Sequence, residues 1–174
     1  KGAERGRWSA AEAEAAAARL ETTGALEDLA GCELVIEAAP ERAELKRELF
    51  ARVSEICPDA VLATNTSSIP VTSLASAAAR PELVVGMHFF NPAPLMRLVE
   101  VIAAEQTGER ALEVATATGE AMGKRVIRAT DGPGFLVNRC GRPFYGEALR
   151  CVTERIATPA QVDRICRLGG GFRM

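Results

Sequence analysis

The chain has 174 residues, 48% of them hydrophobic and 25% charged, with 15 glycines, 9 prolines and a formal charge of −2. That length suffices for one substantial core or two small domains, and the composition sits near the globular average, away from disordered, collagen-like and disulfide-scaffold sequences. A pI near 5.6 leaves no electrostatic footprint for nucleic acid or an anionic membrane surface. No apolar run approaches the roughly 18 residues of a spanning helix, so neither nucleic acid nor membrane is an expected partner.

The chain opens Lys1-Gly2-Ala3-Glu4, without an initiator Met or an apolar signal region, and reads as starting inside a longer protein. Residues Ser9 to Leu20 begin with Ser-Ala-Ala-Glu, a capping box followed by an alanine-rich run of high helix propensity, so the first helix is expected there. Glu33 to Ile36 is a short apolar run between Gly31 and Pro40 and reads as a buried strand. Pro40-Glu41 is expected to start a helix whose apolar stripe is Leu45, Leu49, Val53 and Ile56, ending at Cys57-Pro58-Asp59.

Ala60 to Ala63 reads as a second buried strand, followed by the polar turn Thr64-Asn65-Thr66-Ser67-Ser68 and a short helix after Pro70. Leu83 to Met87 is a third strand and, beyond a proline-bearing loop, Leu98 to Ile102 a fourth. Glu109 to Met122 is a helix closed by Gly123, and Val126-Ile127 a short fifth strand. From Gly134 to Arg155 the pattern is helical, and Thr158-Pro159-Ala160-Gln161 offers a second capping box with Pro at the first helical position. Strand and helix alternate up to Asp131-Gly132-Pro133-Gly134, the expected boundary between residues 1–130 and a helical segment over 131–174. The fold class is therefore α/β: a mostly parallel sheet with helices on its faces, followed by an all-α segment.

The five cysteines, Cys32, Cys57, Cys140, Cys151 and Cys166, are odd in number and show no Cys-x-x-Cys spacing, and one histidine cannot complete a Cys/His zinc set. Reduced structural thiols in a cytoplasmic protein are expected, and no metal. Polar residues cluster just past the apolar strands: Glu41 after the first, Asn65 to Ser68 after the second, His88 to Asn91 after the third. This is where an α/β sheet keeps its site. His88 is the only histidine, hence the only side chain whose ordinary pKa suits proton exchange near neutrality. Glu100 lies twelve residues on, within an apolar strand. If it points inward it needs a partner, and the Asn91-Pro92-Ala93-Pro94 loop would fold the two strands together and set it against His88, a general-base arrangement. If it points outward on an edge strand, period-2 alternation explains it equally well.

The run Gly86-Met87-His88-Phe89-Phe90-Asn91-Pro92-Ala93-Pro94-Leu95-Met96-Arg97-Leu98-Val99-Glu100-Val101-Ile102 closely resembles the signature of the L-3-hydroxyacyl-CoA dehydrogenases. Ala63 to Ser68 and Pro133 to Arg139 match that family's other two motifs in order and spacing. The resemblance runs from about Ser9 to Met174. It implies that His88 is the base that takes the proton of the substrate 3-hydroxyl while hydride passes to NAD, with Glu100 as its carboxylate partner. It implies that Ser67 and Asn138 bond the reacting oxygen, and that Glu41, Lys46, Ser67 and Asn91 contact NAD. By periodicity alone Lys46 is an exposed helical position, Asn138 a solvent-facing or capping residue, and Ser67 and Asn65 groups that satisfy turn amides.

The resemblance implies a Rossmann-like, mostly parallel sheet that is incomplete at its N-terminus, because the family's Gly-x-Gly-x-x-Gly phosphate loop and second strand have no counterpart in these residues, which would leave the first strand here with an unpaired edge. Leu168 to Met174 resembles a point midway through the family's helical domain, and Arg142 to Leu149 looks most like its bacterial members. The resemblance implies an acyl-CoA substrate, a place in fatty-acid β-oxidation or related acyl-CoA catabolism, and a homodimer through the helical domain. Two alternatives stay open: a fragment that by itself neither binds NAD nor turns over, and a crystallin-like sugar-acid dehydrogenase, against which Phe89-Phe90-Asn91-Pro92 stands.

Overall fold

The computed structural model describes residue 6 and residues 9–172; the opening Lys1 to Glu4 and the closing Arg173-Met174 lie outside the described residues. The Ser9 capping box forms, with Ser9 Oγ accepting from the Glu12 amide and the Glu12 carboxylate accepting from the Ser9 amide. The helix it starts, α1 (Ala10–Ala17), is shorter than expected. None of its residues is buried, so it has propensity but no packed face to extend it. A 3-10 turn at Leu26–Leu29 leads into β1 (Leu34–Glu37), then α2 (Ala43–Ile56), β2 (Val61–Thr64), α3 (Val71–Ala75), β3 (Val84–Phe89), β4 (Leu98–Ala103), α4 (Glu109–Ala121) and β5 (Arg125–Thr130).

The five strands form one sheet in the order β1-β2-β3-β4-β5, parallel except for the antiparallel β3–β4 pair. The mostly parallel sheet is as the alternation predicts, and among the described residues β1 stands at one edge with all four side chains half-buried. Side-chain alternation divides the interior in two. Leu62, Val84 and Ile102 face α2, α3 and Phe135 on one side, while Val61, Ala63, Val85, Met87 and Val101 face α4 on the other. The third strand runs two residues further than its apolar run suggests, because β4 pairs with it as far as Phe89↔Val99. His88 therefore lies inside β3 and directly opposite Glu100.

Two local expectations shift. Helix α2 begins at Ala43, after Pro40 and Glu41, because the Glu41 side chain is drawn across to the turn after β2. Its inward face is Lys46, Phe50, Val53 and Ser54, with Leu45, Leu49 and Ile56 only half-buried, so the helix is turned by about one residue from the purely apolar stripe. The cause is Lys46, 1% exposed, whose ammonium finds acceptors inside.

Gly86 marks the closest approach of β3 to its surroundings: a Cβ there would sit 2.8 Å from the Ile102 Cβ and 3.1 Å from Val71 Cγ2. Gly86→Val is expected to cost about 1–3 kcal/mol by overpacking, a fall in melting temperature of roughly 2–12 °C for a chain of this size. An unchanged melting temperature would mean that β3 and β4 are spaced differently.

Beyond β5, residues 131–136 cross the face of the sheet. Asp131 bonds Ala103 through its amide at 3.0 Å, and its Oδ2 accepts from the Thr72 amide at 2.8 Å. Gly134 (φ 75°) and Phe135 (φ 47°) are both left-handed, a conformation that suits glycine but costs a bulky residue about 1–2 kcal/mol. Phe135 is held there by burial among Val71, Val84 and Ile102. Helices α5 (Val137–Thr153) and α6 (Pro159–Leu168, opened by the Thr158 capping box) complete the described chain.

Candidate active site

The carboxyl end of β1 supplies two acids. Glu37 closes the strand. Its Oε1 accepts from Lys46 Nζ at 2.7 Å and from the Ala39 amide at 2.5 Å, and its Oε2 accepts from Thr64 Oγ1 at 2.8 Å. Lys46 also donates to the Ala39 carbonyl at 3.1 Å and lies 3.4 Å from Glu41 Oε2. The exposed position suggested for Lys46 by periodicity is thus overturned: its three donors face three acceptors within the chain, and burial requires that pairing. Sequence reasoning passed over Glu37, although an acid ending the run Leu34-Val35-Ile36 was a usable signal.

Glu41 joins β1 to the turn after β2. Its Oε1 lies within hydrogen-bond distance of Thr66 Oγ1 (2.6 Å), the Ser67 amide (3.0 Å) and hydroxyl (3.4 Å), and the Ser68 amide (3.1 Å) and hydroxyl (3.0 Å). Burial pushes the Glu41 carboxyl up, but the donors from Thr66, Ser67 and Ser68 and the charge of Lys46 together win and hold it at about 2. With a folded value depressed below the ordinary one, its contribution to stability is present above about pH 4.5 and lost as pH falls toward 2. Urea midpoints measured from pH 6 down to pH 2 are expected to fall less steeply in Glu41→Gln than in the parent; parallel curves would contradict this.

His88 and Glu100 meet across the antiparallel register. Nδ1 lies 2.7 Å from Glu100 Oε2, with the side chains 7% and 0% exposed. Of the two orientations open to Glu100, the inward one is realised, because β4 is an interior strand and its even-numbered side chains face α3 and Phe135 rather than solvent. The other oxygen, Oε1, accepts from the Leu136 amide at 2.9 Å and the Val137 amide at 2.8 Å. The imidazole is flanked by Phe90 (ring centroids 4.6 Å apart) and Phe135 (5.5 Å, edge-on). A carboxylate that takes Nδ1–H leaves the Nε2 lone pair free. Among the described residues Nε2 has no partner and no buried side-chain nitrogen or oxygen is unpartnered, so Nε2 opens toward solvent.

Around this pair the other expected residues take the following places. Ser67 lies in the turn after β2, on Glu41. Asn65 in the same turn accepts from the Phe89 amide at 2.8 Å, so it ties that turn to the residue after His88 and does satisfy an amide. Asn91 is exposed at the start of the loop beyond β3, and Lys124 Nζ holds that loop through the Ala93 (2.5 Å) and Met96 (2.8 Å) carbonyls. Asn138 is half-buried in the first turn of α5, next to Val137 and hence near Glu100. Neither asparagine side chain at 91 or 138 has a hydrogen-bond partner among the described residues. A carboxylate-oriented imidazole with an open nitrogen, at the carboxyl end of a parallel sheet and beside uncommitted amides, is equipped to remove or deliver a proton at a bound oxygen.

Residues 1–132 match the family model described as 3-hydroxyacyl-CoA dehydrogenase, NAD binding domain, and residues 134–174 the model described as 3-hydroxyacyl-CoA dehydrogenase, C-terminal domain. The chain is 45% identical over 152 residues to a probable 3-hydroxybutyryl-CoA dehydrogenase of Deinococcus radiodurans, covering 87% of this chain and 55% of that protein. It is 44% identical over 171 residues to the 3-hydroxyadipyl-CoA dehydrogenase of Escherichia coli, covering 98% of this chain and 36% of that protein. Among solved structures, the (S)-3-hydroxybutyryl-CoA dehydrogenase of Ralstonia eutropha superposes with a TM-score of 0.95 at 34% identity, over 98% of this chain and 61% of that one. The chain thus spans roughly a third to three fifths of the length of these relatives.

Proposed function

The chain belongs to the 3-hydroxyacyl-CoA dehydrogenase family, and on that footing we propose that the protein carrying it interconverts L-3-hydroxyacyl-CoA and 3-ketoacyl-CoA with NAD. The observation that carries this reading is the 2.7 Å contact of His88 Nδ1 with the buried carboxylate of Glu100, which leaves Nε2 open. His88 takes the 3-hydroxyl proton at Nε2, and Glu100 holds the ring in the tautomer this requires. Ser67 and Asn138 bond the reacting oxygen, so that proton and hydride leave one carbon centre with fixed geometry. NAD, when bound, supplies the hydride acceptor at that carbon.

The residues present suit a dinucleotide. Glu41 is partly exposed and ionised, with Oε2 turned away from the Ser67 cluster, an acceptor matched to ribose hydroxyls, and Asn91 is free to bond a carboxamide. Lys46 serves the cofactor through Glu41, whose position its charge fixes. In the same reading residues 1–130 belong to the cofactor domain and 131–174 begin a helical substrate domain. Exposed Phe144, Tyr145 and Leu149, 59%, 67% and 68% accessible, form an apolar face of the kind a second copy covers in a homodimer. The relatives named for 3-hydroxybutyryl-CoA and 3-hydroxyadipyl-CoA support an acyl-CoA substrate, handled in acyl-CoA catabolism such as β-oxidation and in the cytoplasm.

The test is a substrate screen on the protein that carries this chain, following NADH by its nicotinamide absorbance. Turnover of acetoacetyl-CoA with no turnover of free hydroxy acids is the expected result. The reverse pattern would overturn the acyl-CoA reading in favour of a sugar-acid dehydrogenase.

A further inference from the structure

From the geometry around Glu100, and resting on the proton-transfer role given above to His88, we infer that the left-handed turn at Gly134-Phe135 is a positioning element for His88. By seating the Leu136 and Val137 amides on Glu100 Oε1, the turn commits Oε2 to His88 Nδ1 and keeps the lone pair on Nε2. Glu100 is fully buried, and its two oxygens serve different elements: Oε2 the imidazole in β3, Oε1 the amides at the start of α5. Those amides are among the donors that a helix leaves unpaired at its first turn. A buried carboxylate oxygen without donors must find one. With the amides withdrawn, nothing fixes the rotation of the carboxylate, and neither oxygen is held in the line of Nδ1.

The amides reach Glu100 because the chain turns sharply just before them. Gly134 and Phe135 adopt φ of 75° and 47°. The Phe135 amide closes onto the Gly132 carbonyl at 2.9 Å, and the Arg139 amide onto the Gly134 carbonyl at 3.1 Å. The far end of the segment is anchored where Asp131 Oδ2 accepts from the Thr72 amide. Phe135 lays its ring edge-on to the imidazole, so the turn touches His88 directly as well as through Glu100. Asn138 follows Val137 by one residue, so one pair of hydrogen bonds sets both the imidazole and the side chain proposed to meet the same substrate oxygen.

His88 is the only histidine among these 174 residues, and its ring-nitrogen signals, assigned by their loss in His88→Gln, report its tautomer in a 15N-histidine-labelled sample without NAD or substrate. With the ring neutral, the parent is expected to show the Nδ1–H tautomer. In Gly134→Ala the new Cβ would lie 3.1 Å from the Arg139 nitrogen and 3.3 Å from the Asn138 Cβ at a left-handed φ. This variant is expected to show a mixture with Nε2–H. In the complete protein kcat should fall about tenfold to a hundredfold, with KM for acetoacetyl-CoA changed by less than about threefold. Gly134→Asn, which brings the same Cβ but tolerates a left-handed backbone, should fall between the parent and Gly134→Ala in both. Asp131→Ala loosens the anchor without a new Cβ clash; it should move the tautomer ratio in the same direction and provides the measurement if Gly134→Ala does not fold.

The parent tautomer and kcat in a folded Gly134→Ala, or the parent tautomer in Asp131→Ala, overturns the inference and leaves the dehydrogenase reading untouched. A tautomer that follows the turn in a complete protein without acyl-CoA turnover upholds the inference about His88 and removes that activity.

Discussion

His88→Ala is expected to slow NADH-dependent reduction of acetoacetyl-CoA by about 10²–10⁴-fold, the usual contribution of a positioned acid or base, while the KM for NADH changes far less. The proton-transfer group is lost, and no other histidine lies among these 174 residues to substitute for it. Glu100 stands behind the ring with both oxygens occupied, one by Nδ1 and the other by the Leu136 and Val137 amides. Alanine also opens a void between Phe90 and Phe135 and strips one oxygen of a buried carboxylate of its partner. A control is therefore needed that separates chemistry from packing. His88→Gln keeps an N–H donor for Glu100 and most of the volume, so it should lose as much turnover with a smaller loss of melting temperature. Steady-state rates within about threefold of the parent in both variants would sink the assignment of the base, since such a change lies below any general acid or base contribution.

Glu100 offers the second large effect, and two substitutions divide it. Glu100→Ala orphans two part-buried amides and the buried Nδ1 donor at once. Leaving a donor unsatisfied in this way costs about 1–3 kcal/mol each, or roughly 2–12 °C in melting temperature per donor for a chain of this size. Glu100→Gln is nearly isosteric, and its carbonyl oxygen still accepts from the Leu136 and Val137 amides. Its NH2 group then faces Nδ1, which must present a lone pair, and the ring proton moves to Nε2. The fold should survive within about 1–2 kcal/mol, while kcat falls about a hundredfold or more because the base is in the wrong tautomer. A pH–rate profile of Glu100→Gln that overlays the parent would show that the carboxylate does not act on His88.

Much of this architecture was legible in the sequence. The apolar runs at Leu34, Val61, Val84 and Leu98 announce strands because short stretches rich in Leu, Val and Ile have nowhere to go but a buried sheet. The Ser9 and Thr158 capping boxes mark helix starts because their hydrogen bonds close within three residues. The pairing of His88 with Glu100 was within reach for a similar reason, since a twelve-residue hairpin admits few registers. The tail of the third strand was not legible: His88 and Phe89 join it through pairing with Val99 and Glu100 rather than through their own propensity.

Other features of the site escape any local reading. Lys46 is buried because Glu37 waits nine residues upstream on another element, and that ion pair turns α2 away from its most apolar face. Glu41 finds its donors 25 to 27 residues away, and Glu100 its second pair of donors 36 and 37 residues away. Phe135 is left-handed because packing under Ile102 and against His88 outweighs its backbone preference. The sequence by itself determined which segments are strands and helices and which residue types can exchange a proton, since periodicity and capping act over a few residues. Only the tertiary structure decided where each buried charge finds its partner, because burying a charge is unfavourable everywhere except where distant parts of the chain bring donors to it.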